Sequence, residues 1–240
     1  MSSIADRPRL SSRRLVTTLV LGAWCALFWY LMISGQTALY LSSRTDWVVP
    51  VGAFVLTGAT IARLLSLREH DPAPLTPRDA AGVGLVLLPV VVMASMPAAS
   101  LDSYAASRRS SIVGGSYVSS AEDITDGELT LVDVGGALRS REAMRALAER
   151  AGAEVSFVGF VTRDSGDPAD EFTLTRFMIS CCVADALSVE VRVVGAPPGR
   201  FAKDDWVEVT GKLYPLGTEV VVDASEVVSV PRPKRPYLNP

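Results

Sequence analysis

Two adjacent cysteines, Cys181 and Cys182, carry the widest chemical range of any residues in this chain. They sit in the run Arg176-Phe-Met-Ile-Ser-Cys-Cys-Val-Ala-Asp-Ala186, in a sequence of 240 residues with three cysteines and one histidine. A thiolate is both a soft ligand and a nucleophile. The pair could therefore contact a soft cation, exchange disulfides, close a vicinal disulfide, or pack as small apolar side chains. Successive side chains of a strand point to opposite faces, so the two thiols cannot share an ion on a regular strand. A bulge or turn would bring them together. Val183-Ala-Asp-Ala186 supplies a break that lets Asp185 fold back toward a thiol. Arg163 and Arg176, on the preceding strand-like runs, complete a candidate ligand-binding or structural cluster with Cys181, Cys182 and Asp185. The metal-ligand candidates within it are Cys181, Cys182 and Asp185. A stable zinc site usually takes four N or S ligands, so these residues specify no particular metal or cofactor.

The remaining chemistry is sparse. The single histidine, His70, lies in a loop between apolar segments, and Cys25 lies inside one of those segments as a packing residue. There is no Ser/His/Asp set, no HExxH, and no phosphate-cradling glycine loop beyond an isolated Gly135-Gly136. Asp164, Asp167 and Asp170 recur around a glycine without the spacing or final Glu of a calcium loop, and read as a turn. The expectation is a protein that is not an enzyme.

The elements that must position the cysteines fall into two halves. Hydrophobic residues make up 49% of the chain, concentrated in the first hundred positions. Leu15–Ile33 runs without a charge and is long enough to cross a bilayer; Trp47–Leu65 and Ala80–Met96 read as a second and third span. The exit from the first segment, with Trp29, Tyr30 and Met32, does not resemble a signal-peptide cleavage site, so it is read as an anchor. Arg7, Arg9, Arg13 and Arg14 precede the first span, and Arg63, Arg68 and Arg78 flank the second loop, whereas the first loop has only Arg44 beside Asp46. The positive-inside rule then puts the N-terminus in the cytoplasm and, after three crossings, the C-terminal half outside it. Two crossings would reverse that answer.

The expected organisation is a basic cytoplasmic arm over 1–14, a three-span region over 15–97, a tether over 98–127, an extracytoplasmic β domain over 128–230 and a Pro-rich tail over 231–240. Within the domain, Leu129–Val134 reads as a short strand or extended lead-in, and Ser140–Ala151 as a helix with Ser140 as N-cap and Gly152 as stop. Five strands follow at Glu154–Arg163, Glu171–Ser180, Leu187–Val194, Asp205–Tyr214 and Glu219–Val230, each rich in Val, Phe and Thr. Five short strands in this order predict an all-β, OB-like five-stranded barrel. Residues 121–230 carry twenty acidic and ten basic side chains, which opposes nucleic acid or an anionic lipid surface as the partner of this half.

The residues also resemble a known family, the YcgQ-like permease subunits, in which a few membrane spans precede a domain with a double-cysteine signature. The resemblance rests on Gly159-Phe-Val-Thr-Arg-Asp164, Phe172, Arg176 through Ala186, Asp205-Trp-Val-Glu-Val-Thr-Gly211, and Leu31–Leu41 leaving the first span. It implies an accessory subunit of a two-component membrane transport system, partnered by a multi-span permease of the YcgR/YraQ-like type. The alternatives from the residues themselves are a membrane-tethered ligand-binding or sensor domain and a cell-envelope thiol oxidoreductase.

Overall fold

The computed structural model describes residues 12–66, 76–95, 100–108, 124–125, 127–138, 140–217 and 219–239. Arg7 and Arg9 of the basic arm, Arg68 and His70 of the second loop, and residues 109–123 of the expected tether lie outside the described residues. The chain divides into two units, Met1–Thr37 with Asp46–Ala98, and Ala38–Thr45 with Ala99–Pro240.

The first unit is helical. Helices α1 (Ser12–Ile33), α2 (Val48–Leu65) and α3 (Pro77–Ser95) are each long and apolar enough to cross a membrane. Their outward side chains are apolar too: Leu19, Phe54 and Leu85 are all at least 65% exposed. That is the pattern of a helix facing lipid rather than water. Gly52 of α2 lets the Phe28 ring of α1 approach, since a Cβ there would stand 2.5 Å from the ring. Thr57 links the same two helices, accepting from Trp29 Nε1 at 3.1 Å and lying 3.2 Å from Cys25 Sγ. Cys25 is thus a polar contact between helices as well as a packing group.

The second unit is built on five strands, β1 (Glu154–Thr162), β2 (Phe172–Met178), β3 (Leu187–Val194), β4 (Trp206–Leu216) and β5 (Glu219–Ser229). They close in the order β1-β2-β3-β5-β4, with β4 returning to β1 and only β3–β5 parallel. This is the OB-like barrel expected from the strand pattern. Val155, Phe157, Leu174, Val189, Val191, Val207, Val209, Leu213 and Val222 alternate inward along their strands and fill the interior. Closure needs a tight corner. It falls at the bulge between Thr210 and Gly211, where any Cβ on Gly211 would collide with the Asp223 carbonyl of β5.

Two helices contribute to the same core. In α5 (Leu131–Ala137) Thr130 Oγ1 accepts from Asp133 N and the Asp133 carboxylate accepts from Thr130 N, a reciprocal capping box. This corrects the strand-like reading of Leu129–Val134: the cap and burial of Leu131, Val134 and Ala137 outweigh the β preference of its valines. Helix α6 (Arg141–Glu149) is capped by Ser140 Oγ and buries Ala143 and Leu147, and Gly152 beyond it takes φ +85°.

A second apolar layer lies on the outer face of β1 and β2, where Phe160 and Phe177 stack at 5.8 Å. The C-terminal tail covers it. Leu238 N donates to Phe177 O at 2.8 Å, Ile179 N donates to Leu238 O at 3.0 Å, and Tyr237 is buried in the layer. The stretch read as a tether also takes part. Leu101 and the short helix α4 (Ser103–Ala106) pack on this layer, and Ile124 is fully buried in the barrel core. The folded unit therefore includes residues ahead of Glu128.

Candidate ligand site at the paired cysteines

The β2–β3 connection places the thiols. After Met178 the chain leaves the ladder, and a single 3-10 turn at Val183–Asp185 reverses it into β3. The turn brings Asp185 back over the preceding backbone, where Oδ1 accepts from Ser180 N at 3.0 Å and Oδ2 accepts from Cys181 N at 2.7 Å. A longer bond from Cys182 N, 3.5 Å, also reaches Oδ2. With the strand ended, the two side chains no longer point apart. Cys181 Sγ and Cys182 Sγ stand 3.6 Å from each other, and the potential ligand atoms of Cys181, Cys182 and Asp185 lie within 4.8 Å of one another. Both cysteines are free thiols, Cys181 exposed and Cys182 half-buried.

The electrostatics follow from this geometry. Burial alone would raise the Asp185 carboxyl, but hydrogen bonds from the Cys181 thiol and the N–H groups of Cys181, Ser180 and Cys182 outweigh it and hold the carboxyl below its ordinary value. The Cys181 thiol is pushed from 9.0 up to about 11, first by its hydrogen bond to Asp185 and then by its bond to Cys182. A redox or nucleophilic cysteine needs the opposite shift. Left alone, Cys181 is a protonated donor to a carboxylate.

A segment from the other end of the sequence holds the site in place. Residues 38–45, between α1 and α2 in the chain, belong to the barrel's unit. Leu41 forms an antiparallel bridge with Cys182, Val183 N donates to Tyr40 O at 2.9 Å, and Cys181 O accepts from Ser42 N at 3.1 Å and Thr45 Oγ1 at 2.6 Å. Ser42 is 1% exposed and donates through Oγ to Asn239 Oδ1 of the tail at 2.7 Å. The cysteine backbone is thus fixed by a bridging segment that sequence patterning does not reveal. The only local signal is the short polar run Ser42-Ser-Arg-Thr45, which reads equally well as a turn.

The two arginines of the expected cluster are committed elsewhere. Arg176 donates from Nε to Pro236 O at 3.0 Å, from Nη2 to Arg235 O at 3.2 Å and from Nη1 to Val158 O at 3.2 Å, with its guanidinium 5.9 Å from the Trp206 ring centre. It ties the tail to the barrel, and its burial lowers its pKa. Arg163 donates to Glu171 O at 2.5 Å and bridges the β1–β2 turn. It lines a polar cavity of about 300 Å³ with Asp164, Glu190 and Lys203, which neither thiol lines. The structure gathers Cys181, Cys182 and Asp185, while Arg163 and Arg176 organise the loop and tail.

A closed barrel of OB topology with vicinal thiols in its β2–β3 turn, following three helices apolar enough to span a membrane, is consistent with a membrane-associated protein. Residues 138–240, under half of the chain, match the family described as the DUF1980 C-terminal domain. No curated protein matches the chain.

Proposed function

We propose that the chain is a non-enzymatic accessory subunit of a membrane transport system, anchored by three spans, whose extracytoplasmic barrel presents the Cys-Cys turn to a multi-span permease. The partner in this reading is of the YcgR/YraQ-like type that the YcgQ-like resemblance implies. One observation carries it: the loop between the first two helices is hydrogen-bonded through its backbone to Cys181–Val183, with a single bridge between Leu41 and Cys182. Backbone groups cannot hydrogen-bond across a bilayer, so this loop and the barrel share one side. A shared side requires an even number of further crossings before the barrel, which supports α2 and α3 as a pair of full spans. The arginine distribution supports that side being the outer one.

The test is purification of the tagged full chain from its native membranes in mild detergent, with quantitative mass spectrometry. A multi-span permease recovered in fixed stoichiometry, and lost when the barrel is deleted, is the expected result. Recovery of the chain alone under conditions that preserve other membrane complexes would refute the subunit reading in favour of a tethered binding domain.

A further inference from the structure

We propose that Cys181, Cys182 and Asp185 form an exchangeable site for a thiophilic divalent cation of the Zn²⁺ class, held by two thiolates and one carboxylate with one coordination position open. The geometry is nearly that of the loaded site. Two sulfurs on a tetrahedral zinc ion at about 2.3 Å each lie about 3.8 Å apart, and the two Sγ atoms are 3.6 Å apart. A linear ion with the same bond length would need them about 4.6 Å apart. The carboxylate oxygen of Asp185 falls within the same 4.8 Å group.

The backbone supplies the support that a metal site requires. Pairing with Leu41 and the bonds from Ser42 and Thr45 fix the chain through Cys181 and Cys182, and the N–H groups of Ser180 and Cys181 aim the Asp185 carboxylate. Partners of this kind orient ligands at metal sites generally. Oδ1 accepts one backbone bond and keeps a lone pair for an ion. Among the described residues the group holds three ligands and no histidine, and Cys181 is open to solvent. Structural zinc sites close with four protein ligands, whereas an open fourth position admits another ligand. This site therefore suits transfer rather than storage.

Loading balances simply. The cation displaces one proton from each thiol to solvent, the carboxylate is already ionised, and no electron moves. The inference deepens the transport reading by naming a cargo class. It is tested on the purified chain alone, so its failure and the failure of the permease partnership are separate results.

The experiment uses reduced full-length chain in detergent with Cys25→Ser, leaving the vicinal pair as its only thiols. Cadmium titration followed by the ultraviolet thiolate-to-metal band, and equilibrium dialysis against Zn²⁺, should each give one ion per chain. Cys181→Ser and Cys182→Ser should each diminish the cadmium band and weaken zinc binding at least about tenfold, the smaller loss seen when even an outer-shell partner is removed. Asp185→Asn, which keeps a carbonyl oxygen for the backbone donors, should weaken zinc binding at least about tenfold while retaining the cadmium–thiolate band. Should a serine variant misfold by circular dichroism, alkylating both thiols of the folded Cys25→Ser chain provides the same comparison. No uptake by the reduced Cys25→Ser chain, or equal uptake after both thiols are removed or alkylated, would overturn the site.

Discussion

Replacing Arg176 with methionine keeps the unbranched apolar stem of the side chain and removes the guanidinium with its donors. Three backbone carbonyls, of Val158, Arg235 and Pro236, lose their partners. A hydrogen bond exchanged with water is worth about 1 kcal/mol net, and two of these bonds join the barrel to the tail, so Arg176→Met should weaken tail docking by about 2 kcal/mol. At about 1.4 kcal/mol per factor of ten, that is about thirtyfold in the local opening equilibrium. Amide hydrogen exchange reads it directly, because Leu238 N donates to Phe177 O and Ile179 N donates to Leu238 O only while the tail is docked. Protection at Leu238 and Ile179 should fall about thirtyfold, while Val191 and Val209 in the barrel interior stay protected. Arg176→Lys should recover only part of the loss, since a single ammonium cannot span three carbonyls as the guanidinium fork does. Protection at Leu238 unchanged within about threefold in Arg176→Met would refute the assignment of Arg176 as the clamp.

Other consequences are equally specific. With its thiol raised to about 11, Cys181 should alkylate about a hundredfold more slowly at pH 8 than an ordinary thiol, and its rate should keep rising with pH until that region. Asp185→Asn should bring its pH–rate curve back toward 9.0, measured by site-resolved mass spectrometry. Gly211→Ala forces a methyl group into the Asp223 carbonyl at the barrel corner and should destabilise the barrel by about 1–3 kcal/mol in thermal unfolding. Ser188 buries its hydroxyl without a partner among the described residues, so Ser188→Ala should stabilise the barrel by about 1 kcal/mol in the same assay.

These features differ in how visible they are in sequence. The strands were legible because apolar and polar residues alternate along them, as in Val207-Glu-Val-Thr-Gly211, and turn-forming strings separate them. The turn that unites Asp185 with the thiols was also legible, since the strand pattern stops at Cys181 and resumes at Leu187. Helix α5 carried a readable signal, Thr130 three residues before Asp133, that its valines obscured. The fates of Arg163 and Arg176 could not be read. Their partners are backbone carbonyls of a turn and a tail, and a carbonyl has no sequence signature. Pairing of Leu41 with Cys182 was hidden for a related reason: one bridge made by an irregular segment, far away in sequence, leaves no periodicity.

In the proposed topology the loop between α1 and α2 lies on the outer side of the membrane with the barrel. Single-cysteine reporters in a chain with Cys25, Cys181 and Cys182 replaced by serine test it, using Arg44→Cys in that loop, Ser165→Cys in the exposed β1–β2 turn and Arg68→Cys in the loop between α2 and α3. A membrane-impermeant maleimide on intact cells should label the reporters at positions 44 and 165, and should label the one at 68 only after permeabilisation. Positions 44 and 165 reporting opposite sides, or both labelling only after permeabilisation, would contradict it.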